Sequence, residues 1–169
     1  MKTILWATLS ANGNYAQSSP DNPPKKEAFQ DFAEQAQAAG NFIVGRRTFE
    51  GMAGNGPGPF ADLDIVVVSQ SASDIPGVAI ARSPQEALDI LRQKGHHKAL
   101  IAGGADVHNS FLENDLVDEL IYTVAPVLEG KGLNLLIDRN DYKVMPIELL
   151  NFKSLGNGVV QLHYAIPRS

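Results

Sequence analysis

Phe42-Ile43-Val44-Gly45-Arg46-Arg47-Thr48-Phe49-Glu50 carries an apolar run into a glycine, two arginines and a hydroxyl with no turn residues between. The apolar part reads as a buried strand and the remainder as the opening of a helix. Gly45 lets a ligand approach the backbone, and amides at a helix start together with guanidinium forks suit a phosphate. The competing reading is a solvated arginine pair that begins a surface helix.

Upstream, Phe29, Phe32, Ala33, Ala36 and Ala39 recur at helical spacing, which predicts a helix over 25–39 stopped at Gly40. Before it, 17–24 is rich in Ser and Pro and reads as an irregular loop. Thr3 to Leu9 is β-branched and aromatic, a first buried strand ended by Asn12-Gly13-Asn14. Downstream, the four glycines and two prolines of Gly51 to Pro59 predict loop. Asp64 to Ser69 is apolar without alternation, so it reads as a strand covered on both faces. Val78 to Ala81 is a short strand. Ser83-Pro84-Gln85-Glu86 is a capping box with proline at the first helical position, and its helix carries Ala87, Leu88, Ile90 and Leu91 to a stop at Gly95. Ala99 to Ala102 is a strand, Gly103-Gly104 opens a helix of roughly ten residues, and Glu119 to Val124 is a strand ended by Pro126. Tyr142 to Phe152 and Val159 to Ile166 read as antiparallel strands joined through Gly156-Asn157-Gly158. Strands alternating with helices imply an α/β fold with a mixed, mostly parallel sheet, and the last two strands supply the antiparallel hairpin.

At 169 residues the chain is one domain, 1–169, and 44% hydrophobic with 20% charged residues is ordinary for a globular protein. Fourteen Lys+Arg against nineteen Asp+Glu give a net charge of −5, which argues against a broad nucleic-acid face but not against one small basic site. The chain has no cysteine, so disulfides, zinc–thiolate sites, iron–sulfur clusters and thiol nucleophiles are excluded. No apolar run approaches about 18 residues, and the first residues lack a secretory pattern, so a soluble, cytoplasmic protein without a membrane partner is expected.

Two further strand ends offer chemistry. The paired glycines of Ile101-Ala102-Gly103-Gly104-Ala105-Asp106-Val107 allow close contact with a pyrophosphate, or tight helix–sheet packing alone. Ser69-Gln70-Ser71 presents hydroxyl and amide groups at the end of the strongest strand, or simply a polar turn. The four histidines show no metal-pair spacing; His163 reads as structural, and His108, near the glycine pair, as a surface residue or else a ligand contact.

Together these motifs resemble the dihydrofolate reductase-like superfamily, in particular stand-alone relatives of the reductase domain of bacterial riboflavin-biosynthesis deaminase–reductases. Ser10-Ala11-Asn12-Gly13 is similar to that family's Ser-Leu-Asp-Gly signature, and Gly45-Arg46-Arg47-Thr48-Phe49-Glu50 to its Gly-Arg-x-Thr-aromatic-Glu element. Ile101-Ala102-Gly103-Gly104 matches its Gly-Gly segment. Leu116-Val117-Asp118-Glu119-Leu120 and Ala125 to Gly132 resemble its later runs. The resemblance implies a three-layer fold with helices on both faces, a homodimer, and NADPH as cofactor. It implies that Gly45, Arg46, Arg47 and Thr48 hold the cofactor's phosphates, with Ser69 and Gln70 at the adenosine 2′-phosphate. Gly103, Gly104, Ala105, Asp106 and Val107 would cradle the pyrophosphate, and Ala7 and Thr8 would lie near the nicotinamide.

The implied activity is hydride transfer from NADPH to a small heteroaromatic or sugar-derived substrate of pterin or pyrimidine type. Both dihydrofolate reductase-like and 5-amino-6-(5-phosphoribosylamino)uracil reductase-like chemistry fit it. A non-catalytic NADP(H)-binding module and a plain α/β interaction domain are the alternatives. Asn12 stands where the signature has Asp, and Phe29 stands where a folate reductase has its acid. Glu27 and Asp31 are the nearest carboxylates, one helical turn apart and able to share a side. They are either weak catalytic candidates or solvated surface acids, and protonation by water and backbone donors is the reading preferred here.

Overall fold

The computed structural model describes residues 1–15, 21–53, 60–135, 137 and 140–167. Its elements run β1 (Lys2–Ser10), α1 (Lys26–Ala39), β2 (Asn41–Gly45), α2 (Arg46–Ala53), β3 (Asp64–Val68), β4 (Ala79–Ala81), α3 (Pro84–Gln93), β5 (Lys98–Gly103), α4 (Ala105–Glu113), β6 (Glu119–Ala125), β7 (Glu148–Gly156) and β8 (Val159–Ala165). The strands form one eight-stranded sheet in the order β4-β3-β2-β5-β1-β6-β8-β7. Its first six members pair in parallel, while β8 runs antiparallel to both β6 and β7.

The alternation along β1 assigns the two layers of helices. Leu5, Ala7 and Leu9 pack with Ile43, Val66 and Ile101 beneath α3 and α4. Ile4 and Trp6 pack with Phe42, Val44 and Leu100 beneath α1. On α1, Ala28, Phe32 and Ala36 recur four residues apart and are buried, and Phe32 meets the rings of Trp6, Phe42 and Phe60 at 5.2 to 5.6 Å. Gly40 ends the helix in the left-handed conformation, its N–H donating to the Ala36 carbonyl. Ser83 caps α3 by accepting from the Glu86 N–H at 3.1 Å; the Glu86 carboxylate reaches back one residue further than a capping box requires, to the Arg82 N–H.

Two boundaries differ from the sequence reading. Gly51 and Met52 lie within α2 rather than in a loop, because Phe49 and Met52 pack onto the core and an exposed glycine costs only about 1 kcal/mol; residues 54–59 of that expected loop lie outside the described residues. Residues 17–20 of the expected loop before α1 also lie outside them. The hairpin's first strand starts at Glu148 and not at Tyr142, since Pro146 cannot donate to a ladder. Asn157 and Gly158 make the turn with φ of 53° and 83°, the paired left-handed geometry expected of a two-residue hairpin. Among the described residues no helix is long and apolar enough to cross a membrane.

Candidate active site

The carboxyl ends of β2, β5 and β1 converge, and small residues let them do so. β5 shifts register against β2 between Ile43↔Ile101 and Val44↔Gly103, so Ala102 is an extra residue beside the glycine pair. A Cβ on Gly45 would stand 3.0 Å from Val107 Cγ2 and 3.6 Å from the Gly103 carbonyl, and one on Gly104 would stand 3.3 Å from Thr48 Oγ1. Gly103 has φ of 125°, which disfavours a side chain, and the Gly103-Gly104 peptide is cis. The starts of α2 and α4 thus meet across a shallow backbone cradle. Arg46 binds Glu50 one turn on at 3.0 Å, whereas exposed Arg47 has no ion-pair partner among the described residues.

The neighbouring strand end is also polar. Ser69 is buried, and its Oγ accepts the Ala72 N–H at 3.0 Å, closing the polar turn. Arg82, at the end of β4, donates from Nη1 to the Ser69 carbonyl at 2.7 Å, and Gln70 donates to the Arg82 carbonyl at 2.6 Å. Arg82 was not legible as a site residue, because only the β3–β4 pairing brings it beside Ser69.

An apolar pocket of about 210 Å3 adjoins the cradle, with Thr48 and Ala102 in the wall they share. Trp6, Phe29, Phe32 and Met52 supply its aromatic and thioether surface, and Thr8, Asn22 and Lys25 its polar rim. Thr8 therefore sits where expected. Ala7 does not: its side chain turns to the opposite face, beneath α3 and α4, so only its backbone lies near the pocket. Ala105 and Val107 are buried packing residues, while Asp106 is exposed.

Neither Glu27 nor Asp31 lines this pocket. They do share a side of α1, but that side faces the C-terminal hairpin. Glu27 accepts from Asn157 Nδ2 at 2.6 Å, which holds its carboxyl below the usual range. Asp31 is not a solvated acid. It is buried and accepts from Trp6 Nε1 at 2.8 Å and Gln161 Nε2 at 2.6 Å. Both donors are fixed by the fold, so Asp31 sets the indole that forms the pocket wall.

Asn12, which departs from the family's Asp, uses both ends of its amide: Oδ1 accepts from the Glu129 N–H at 3.1 Å and Nδ2 donates to the Glu129 carbonyl at 2.8 Å. A carboxylate could not make the second bond. His108, read as a surface residue, is buried. Its ring turns inward, with Nε2–H donating to the Ile101 carbonyl at 3.1 Å and Nδ1 accepting the Tyr15 hydroxyl at 2.6 Å. A carbonyl can only accept, which fixes the tautomer. Burial lowers the His108 pKa to about 4 and pushes the Tyr15 hydroxyl up.

Comparison with known proteins agrees with this arrangement. Residues 3–161 match the family model described as RibD C-terminal domain. An uncharacterized protein of Bacillus subtilis, YwjB, is 29% identical over 96% of this chain and 97% of its own. Among solved structures, a pyrimidine reductase-like protein from Corynebacterium diphtheriae superposes with a TM-score of 0.76 at 18% identity, over 99% of this chain and 92% of that one. The deaminase/5-amino-6-(5-phosphoribosylamino)uracil reductase of Thermotoga maritima does so at 0.71 and 18%, over 98% of this chain but 56% of its own. The strand–helix order and a family match over nearly the whole chain lead to one statement: the chain belongs to the RibD C-terminal domain family, with the dihydrofolate reductase-like fold of riboflavin-biosynthesis reductases.

Proposed function

We propose that this protein is an NADPH-dependent reductase that delivers hydride to a small planar heteroaromatic substrate of pyrimidine type. The observation that carries the reading is the cradle: two strand ends and two helix starts meet closely at glycines, beside an apolar pocket with an aromatic wall. The donor set suits a dinucleotide phosphate, with Arg46, Arg47, Thr48 and the backbone at Gly103 and Gly104 as its partners. Ser69, Gln70 and Arg82 are the proposed partners of the adenosine 2′-phosphate. When bound, NADPH would supply the hydride. Thr8, Trp6 and Phe29 would orient the acceptor, and the apolar wall would exclude bulk water from its face. With no carboxylate among the described residues that line the pocket, a water at the polar rim is the proposed proton source.

The test is oxidation of NADPH in the presence of 5-amino-6-ribosylamino-pyrimidines and dihydropterins, with the product identified by mass. Reduction of the pyrimidines is expected. Tight NADPH binding without reduction of either class would favour the non-catalytic module.

We also propose a homodimer. Among the described residues, seven of the ten exposed large apolar side chains lie between Tyr142 and Val160, including Leu149, Leu150 and Phe152 on the edge strand β7. A long apolar edge strand is a template for a second strand, and two-fold pairing of like edges closes the assembly.

A further inference from the structure

At the other end of the sheet from the cradle, the first residues of β1, β5 and β6 open into a polar cavity of about 230 Å3, bounded on one side by the hairpin. Its lining shares no residue with the apolar pocket of the candidate active site. Lys2, Lys98 and Lys153 line it, together with Glu119 and His163. Lys2 and Lys98 are direct register partners in the parallel pair of β1 and β5. Like charges in facing positions destabilise a sheet, and here only one carboxylate answers three ammonium groups. Glu119 lies 3.3 Å from Lys2 Nζ and 3.2 Å from His163 Nε2. Lys98 and Lys153 have no ion-pair partner among the described residues. His163 Nε2 is shut off from solvent and makes no hydrogen bond, even to the nearby Glu119 oxygen.

We propose that this cavity is a binding site for a phosphate group, free or as the monoester of a small molecule. In a chain of net charge −5, carboxylates to neutralise the cluster are plentiful elsewhere, yet its excess positive charge stands uncompensated. An acceptor-only dianion answers that excess. The cations are lysines from three strands and not an arginine fork, which suits the tetrahedral oxygens of phosphate better than the flat edge of a carboxylate. The site does not depend on the reductase reading.

Thermal unfolding tests it with wild type, Lys98→Gln and Lys98→Gln/Lys153→Gln, in phosphate and in chloride of matched ionic strength. Both substitutions are at exposed positions and leave the core untouched. In chloride the variants should unfold no lower than wild type, because removing a like charge relieves repulsion. Phosphate at about ten times its Kd should raise the wild-type midpoint by about 3–5 °C and leave the double variant unmoved. Glycerol 3-phosphate giving a larger shift than phosphate would identify a monoester site, and an equal shift an inorganic phosphate site. An equal gain in wild type and double variant would place the phosphate elsewhere, and no gain over chloride would remove it; either overturns the proposal, as would destabilisation of Lys98→Gln in chloride.

Discussion

Replacing Asp31 by alanine and by asparagine separates a carboxylate that positions the pocket wall from one that donates a proton. Its Oδ2 takes two hydrogen bonds, at 2.8 Å from the Trp6 indole and 2.6 Å from the Gln161 amide, all buried. Hydrogen bonds to a charged group contribute about 1.5–3 kcal/mol each, against about 0.5–1.5 for neutral pairs. Asparagine keeps an acceptor oxygen for both donors and loses the charge, so it should cost about 2 kcal/mol. Alanine leaves two buried donors without a partner, at about 1–3 kcal/mol each, and opens a small void; about 3–5 kcal/mol is expected. For a domain of this size that corresponds to a midpoint lower by roughly 6–20 °C. Urea unfolding followed by the emission of Trp6, the single tryptophan, measures both costs and reports the indole's surroundings directly. Turnover of the folded asparagine variant should stay within about threefold of wild type, whereas loss of a catalytic acid removes about a hundredfold or more. Two results would refute the reasoning: an alanine variant destabilised by less than about 1 kcal/mol, or a folded asparagine variant that binds NADPH normally and does not turn over.

His108 makes stability depend on pH. Its pKa falls from 6.5 to about 4 on folding, so its contribution is fully present above pH 6.5 and is lost as pH drops toward 4, about 3 kcal/mol in all; in His108→Gln, that part of the acid slope should vanish from denaturation curves taken at several pH values. Asp64 is held below its usual pKa chiefly by its hydrogen bond to His96, so a smaller, salt-sensitive loss should follow below about pH 4, discounted because the pair is partly exposed. Arg82→Ala should reduce the preference for NADPH over NADH by about tenfold while changing NADH affinity little, measured by titrating both nucleotides; an unchanged ratio would remove Arg82 from the 2′-phosphate. Phe152→Glu should convert a sedimenting dimer into single chains; a wild-type protein that sediments as a single chain at all concentrations would dispose of the dimer.

The layered sheet was legible because its local signals agree. The apolar runs around Ile43, Val67 and Ile101 became central strands, and Gly40 and Ser83 became the helix stop and start they resemble. The junctions at Gly45 and Gly103-Gly104 were legible as places of close backbone approach, and the structure adds the reason: each faces the other's helix. Contacts across distant strands were not legible. Nothing local pairs Asp31 with Gln161, 130 residues away, or turns His108 inward toward Tyr15, and Arg82 joins Ser69 only through the β3–β4 pairing. Some residues of the family-like runs serve architecture: Asp118 accepts the Thr3 N–H at 2.8 Å, clamping β6 to β1. Asn12 is another, since its amide, not a missing carboxylate, joins the loop after β1 to the backbone at Glu129.

On the proposed function a reduced nicotinamide binds beside the pocket that Trp6, the chain's single tryptophan, lines. Energy transfer from its indole to bound NADPH therefore tests the claim directly. Titration with NADPH should quench Trp6 emission and raise sensitised nicotinamide emission in step, saturating in the micromolar range, with NADH needing about tenfold more. No binding at micromolar NADPH, or binding without sensitised emission, would contradict it.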